Sequence, residues 1–328
     1  MNKFFKNIIY YSLIFIFSLL FVISGVIYLN YDHKVDYPAA IMNKYQRLDS
    51  LKNTKKAIIC GGSSSCYSIN SKDIQDSLNI PVVNTSLAMS LGSEFHLNMV
   101  RDYLCKGDIV IYIPEYEFYY GKEEGDDFLY TTSFYYPPII KDFTDEQKKT
   151  LYIKSVRLSV DYYLGKITKI KLKKKVIELF QKNENSSKKS KISQYNRKSY
   201  NYLGDNTSLD TIRISKVKRG LTSRFDRLQK SIISEKFVSF LKKLNDECLQ
   251  KGVKLYITFP PIEESQYDER FVKGINYVRN LTKIEFIGEP KEYIYEANLF
   301  YDSSYHLNGG GKELRSERFV KNLMKKMN

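Results

Sequence analysis

The stretch Ala57-Ile58-Ile59-Cys60-Gly61-Gly62-Ser63-Ser64-Ser65 decides how this chain folds. A short apolar run ends in two glycines and three serines. Such a run, bounded by turn residues, reads as a strand buried on both faces, the pattern of a parallel sheet. In open α/β sheets, sites lie beyond the carboxyl ends of the strands. Two glycines let the backbone turn sharply there and leave the Ser63 hydroxyl exposed above the sheet. Read without function, the same residues are a turn whose serine caps a helix.

Working outward, Val82–Asn84, Ile109–Ile113, Lys254–Phe259 and Ile284–Ile287 repeat the buried-strand pattern. Helical spacing falls between them. Ser93–Leu104 places Phe95, Met99, Val100 and Tyr103 on one face. Glu235–Lys251 does the same with Phe237, Phe240, Leu241, Leu244 and Cys248, and Gly252 closes it. Strands alternating with helices predict a three-layer α/β fold with a doubly wound parallel sheet. The rhythm breaks at about 120–234, which reads as a long insertion. It holds the aromatic loop Phe134-Tyr135-Tyr136-Pro137-Pro138, a helix near Glu146–Leu164 and a polar Ser/Lys-rich stretch at Asn183–Ser193.

Ile8 to Leu29 is a run of 22 residues without a charge. As a helix it measures roughly 33 Å, enough to cross the hydrocarbon core of a bilayer. Lys3 and Lys6 precede it, which predicts a cytoplasmic N-terminus and a single-pass anchor at residues 1–30. A cleaved signal peptide is the alternative, with a shorter apolar region as its usual mark. Either way residues 31–328 form a domain outside the cytoplasm.

The net charge of +15 is concentrated. Twelve Lys or Arg lie between Lys166 and Lys198, against Glu178 and Glu184. Outside the cytoplasm the expected partners are an anionic membrane surface or an acidic glycan, not nucleic acid. A solvated basic face is the plain alternative. Cys60, Cys66, Cys105 and Cys248 match no metal spacing, and no cofactor motif is present. Cys105 and Cys248 both precede strands, so a disulfide between them and four free thiols are both compatible with the sequence.

A second motif stands near the C-terminus: Asp302-Ser303-Ser304-Tyr305-His306-Leu307-Asn308. Of the three histidines, His306 alone sits in a loop beside a carboxylate. A Ser hydroxyl becomes a nucleophile when a base removes its proton, and that base must be oriented by a third group. Ser63, His306 and Asp302 are the candidates for those roles. A polar loop capping the last helix is the structural alternative for the second motif.

The paired motifs resemble the SGNH/GDSL hydrolase superfamily. The narrower resemblance is to its membrane-anchored branch, with the D-alanine transfer protein of teichoic acid synthesis and the alginate O-acetylation proteins. Three further pieces carry it: Pro81-Val82-Val83-Asn84-Thr85-Ser86-Leu87, the stretch from Tyr103 to Ile111 leading to Pro114-Glu115-Tyr116-Glu117, and Tyr200-Asn201-Tyr202-Leu203-Gly204-Asp205. The resemblance implies Ser63 as nucleophile, with Ser64 as rival, His306 as base and Asp302 as its partner. It implies the Ser63 and Ser86 amides as oxyanion donors, and Ser64, Asn84 and Glu115 as substrate contacts. Two departures stand out. Ser86 occupies the position of a glycine, and the Gly-x-Asn of relatives is replaced by Pro114-Glu115-Tyr116-Glu117. Loss of one oxyanion donor costs about 3–4 kcal/mol in acyl-transfer enzymes.

The resemblance therefore implies an O-acyl, chiefly O-acetyl, transferase or esterase acting on a cell-surface polysaccharide. A membrane-bound O-acyltransferase is its implied partner. The alternative is a non-catalytic glycan-binding or assembly subunit of a cell-envelope acylation complex. A third reading is a tethered scaffold whose Tyr-rich surface binds protein.

Overall fold

The computed structural model describes residues 3–30, 32–155, 157–158, 161, 195–217, 223–228 and 232–327. The basic stretch from Lys166 onward, the Asn183–Ser193 segment and the end of the expected Glu146–Leu164 helix lie outside these residues, apart from Arg197 and Lys198.

In chain order the first elements are α1 (Lys3–Asn30), α2 (Ala40–Ser50), β1 (Ala57–Gly61), α3 (Ser63–Cys66), α4 (Ser71–Leu78) and β2 (Val82–Asn84). Next come α5 (Ser93–Arg101), β3 (Ile109–Ile113), α6 (Asp127–Tyr135) and α7 (Glu235–Gln250). The last are β4 (Lys254–Ile257), β5 (Ile262–Glu263), α8 (Phe271–Thr282), β6 (Glu285–Phe286), β7 (Ile294–Tyr295) and α9 (Gly309–Met327). Five strands form one sheet in the order β2-β1-β3-β4-β6, every pair parallel. Ala57 pairs with Val82 on one side and Ile109 on the other. β5 and β7 make a separate parallel pair.

Strand residues alternate between two cores because successive side chains leave opposite faces. Ile58, Cys60, Val110, Tyr112 and Ile257 join a core closed by α2, α5 and α7. Ala57, Ile59, Ile109, Ile111 and Tyr256 face the other way, against Ile74 of α4 and Phe319 and Leu323 of α9. Helix, sheet and helix are thus three layers. The chain leaves β1 through α4 on one face and returns from β2 through α5 on the other. Strand order therefore reverses between β1 and β3, and a crevice opens there at the strand ends.

Buried polar groups tie the layers together. Lys56, at the foot of β1, donates to Asp108 at 2.7 Å, and both side chains are fully buried. Asp108 also accepts the amides of Lys56 and Cys105, so the starts of β1 and β3 are held in register. Arg315 of α9 is fully buried and donates to the carbonyls of Ser68 and Phe259.

The insertion is attached at both ends. Asp142 accepts from the Tyr45 hydroxyl at 2.5 Å, and its carbonyl accepts from Asn98. Leu203 accepts the Asn84 amide at the end of β2. All four cysteines are free thiols; the Cys105–Cys248 pair expected as one option from the sequence is not joined.

α1 is 28 residues long. Among the described residues no helix is long and apolar enough to cross a membrane. The expected span 8–29 runs past the last described side chain of α1, at residue 21. The described side chains of this helix, 3–19 and 21, are all exposed.

Candidate active site

β1 delivers Gly61-Gly62-Ser63 into the crevice, and the need for both glycines is steric. A Cβ on Gly61 would stand 2.5 Å from the Ile113 carbonyl oxygen. A Cβ on Gly62 would stand 2.2 Å from the Glu115 carboxylate. The end of β3 thus crosses the backbone of the turn too closely for any side chain. Ser63 then opens α3, where the first backbone amides have no intrahelical acceptor. Ser63 is half-buried, whereas Ser64 and Ser65 are fully buried.

The second motif forms a loop closed on itself. Phe300 bridges Leu307, Tyr301 donates to the His306 carbonyl, and Asn308 donates to the Leu299 carbonyl. The Asn308 side chain accepts the Gly311 amide and so holds the loop to the start of α9. This carries His306 to Ser63. Its Nε2 lies 2.8 Å from Ser63 Oγ, and its Nδ1 lies 2.9 Å from Asp302 Oδ1. In the tautomer with a proton on Nδ1, His306 donates to Asp302 and accepts from the Ser63 hydroxyl. The Tyr67 ring lies against the imidazole at 4.5 Å and 32°. The Tyr195 hydroxyl donates to Asp302 Oδ2 at 3.1 Å. Asp302 is therefore held from two directions, and the imidazole is held by a ring and a carboxylate.

The structure brings Ser63, His306 and Asp302 together and separates the rest. Ser64 does not compete as nucleophile. It is fully buried and donates to Glu115 Oε1 at 2.7 Å. Ser64 and Glu115 therefore bind each other beneath the turn and do not face the cleft as substrate contacts. Asn84 is also fully buried. Its Nδ2 donates to Asp205 Oδ1, and its Oδ1 accepts the Ser86 amide at 3.0 Å. That bond corrects two expectations. Asn84 supports the loop and does not meet substrate, and the Ser86 amide expected as an oxyanion donor is engaged by Asn84. Short Asn side chains commonly close such turns on their own backbone. The Ser63 amide stands at the start of α3.

Sequence reasoning missed a charged cluster at the mouth of the site. Arg224 donates to Glu117 at 2.6 Å and to Ser304 at 2.9 Å, and lies over the Tyr305 ring. The Tyr305 hydroxyl donates to the other Glu117 oxygen. Beside this cluster, and reaching Asp302, is a cleft of about 520 Å³ whose cations are Lys122, Lys216, Arg224 and Arg227. Tyr195 was missed as well; nothing in its local sequence distinguishes it from the other 27 tyrosines of the 28.

No protein-family model matches this chain, and no curated protein matches it.

Proposed function

We propose that this chain is an SGNH-type serine acyltransferase or esterase, working outside the cytoplasm on a cell-surface polysaccharide, with acetyl as the favoured acyl group. One observation carries the reading: His306 and Ser63, 243 positions apart, meet in a hydrogen bond while Asp302 holds the far side of the same imidazole. Neutral His306 takes the Ser63 proton as Oγ attacks the acyl carbonyl. The tetrahedral oxygen faces the Ser63 amide, and Asp302 stabilises the imidazolium. Collapse leaves an acyl ester on Ser63 and returns the proton to the departing group. A sugar hydroxyl or water then attacks that ester with His306 as base. The cationic cleft beside Asp302 suits an anionic acceptor chain.

The exposed apolar side chains of α1 support an anchor in the bilayer, because a helix apolar on all sides is stable only when covered. Lys3 and Lys6 then place the N-terminus in the cytoplasm. A membrane-bound O-acyltransferase is the partner that would supply acyl groups from the other side.

A second reading is a non-catalytic glycan-binding subunit, and the engaged Ser86 amide favours it. The full-length protein in detergent, treated with a fluorophosphonate, separates the two. The enzyme reading expects labelling that Ser63→Ala and His306→Ala abolish. An unlabelled wild type that still binds anionic glycan selects the second reading.

A further inference from the structure

Glu115 is a buried carboxylic acid at the centre of the site that the reaction above does not use. It is fully buried at the end of β3. Oε1 accepts from the Ser64 hydroxyl at 2.7 Å and lies 3.4 Å from the Ser64 amide. Its carboxyl fills the space that a Gly62 side chain would need. Oε2 is buried and has no hydrogen-bond partner among the described residues. Both residues flanking Ser63 therefore rest on this one group.

We propose that Glu115 is the positioning residue of the nucleophile turn and that its working form is the neutral acid. The inference rests on the serine-acyl reading above. A bare, water-excluded Oε2 is far more costly as part of an anion than as part of a neutral acid. A charge under the turn would also oppose the negative charge that develops at the Ser63 amide. Burial pushes the Glu115 carboxyl up to about 7, against the pull of its bond from Ser64. The charged groups around it do not cancel this. Glu117 raises it further but is paired with Arg224. Tyr112, Tyr305 and Tyr37 face it and are held neutral by burial. His306 lies on the far side of Ser63, bonded to its hydroxyl.

The test is the rate of fluorophosphonate labelling of the full-length protein from pH 5 to 9, for wild type, Glu115→Gln and Glu115→Ala. The wild-type rate should fall about tenfold to a plateau above pH 7, the scale of one charge acting across a partly buried site. Glu115→Gln should lose that fall and stay within about threefold of wild type at pH 6.5. Glu115→Ala should be slow at every pH, because the turn loses its support. An infrared carboxylic-acid band that fades near pH 7 and is missing in Glu115→Gln reports the neutral acid independently of turnover. A wild-type fall retained in Glu115→Gln, or no such band, overturns the proposal. If the band is present but Ser63 is unlabelled at every pH, the enzyme reading fails first and the positioning role falls with it.

Discussion

At the scale of the residue, the site is decided by which polar atoms are already engaged. Three serines follow Gly62, yet only Ser63 is both partly exposed and bonded to a base. Ser64 is spent on Glu115 and the Ser86 amide on Asn84. The identities of Ser63, Asp302 and His306 were legible because a nucleophile, an acid and a base are rare as neighbours of turn residues. The engagements of Ser64, Ser86 and Asn84 were not, because a hydrogen-bond partner is a fact of space and not of spacing. Tyr195 is the clearest case. Its hydroxyl holds Asp302 from a residue 107 positions away. Tyr195→Phe should slow Ser63 labelling about fivefold, the worth of one net hydrogen bond. The melting temperature should stay within a degree or two, since the ring and its contacts with Tyr37 and Tyr67 remain. A loss of folding in this variant would mark the hydroxyl as structural.

At the scale of the element, strands of apolar β-branched residues were read correctly in position, and Val82–Asn84 and Ile109–Ile113 match in their bounds. β4 and β6 are shorter than the apolar runs that announced them, with pairing ending at Tyr112↔Ile257 and Ile257↔Phe286. The segment 200–206 shows how much an element depends on a partner. It has no strong pattern of its own, yet it clamps β2. Asp205 accepts from Asn84 and Ser71, and Lys44 donates to the carbonyls of Asn84 and Gly204. Gly204 has φ +98°, and a Cβ there would lie 2.1 Å from the Asn84 carbonyl oxygen. Gly204→Ala should therefore cost about 2 kcal/mol or more in urea unfolding, from left-handed backbone and overpacking together. Ser63 labelling should fall with it, because the loop carrying Ser86 loses its anchor. An unchanged midpoint would show that the clamp is loose.

At the scale of the whole molecule, buried titrating groups shape stability against pH, and Glu115 and His96 do so with opposite signs. Glu115 rises from 4.5 to about 7 on folding, so the folded state holds its proton more tightly. Its contribution is complete below about pH 4.5 and is lost as pH climbs through 7. His96 is pushed down by burial from 6.5 to about 4, so its penalty appears as pH falls through that window. Between pH 4.5 and 6.5 the two slopes offset. Replacing the acid with an amide removes the Glu115 slope and leaves those of His96 and the other buried groups unchanged. Relative to wild type, Glu115→Gln should gain about 3 kcal/mol of unfolding free energy between pH 4.5 and 7.5, measured by urea midpoints. Parallel curves for the two proteins would show that Glu115 titrates normally.

The sequence by itself determined the layered α/β architecture, since apolar strands alternating with amphipathic helices bury their faces in few other ways. It also determined which residues could carry acyl chemistry. Only the tertiary structure decided which of them meet. Reversal of strand order between β1 and β3 opens the crevice, the self-closed loop before α9 sets His306 into it, and the crossing of β3 puts a carboxyl under Gly62 where the resemblance implied a substrate contact. Local pattern follows from each segment's own chemistry, whereas contact across more than 200 positions is set by how the layers stack.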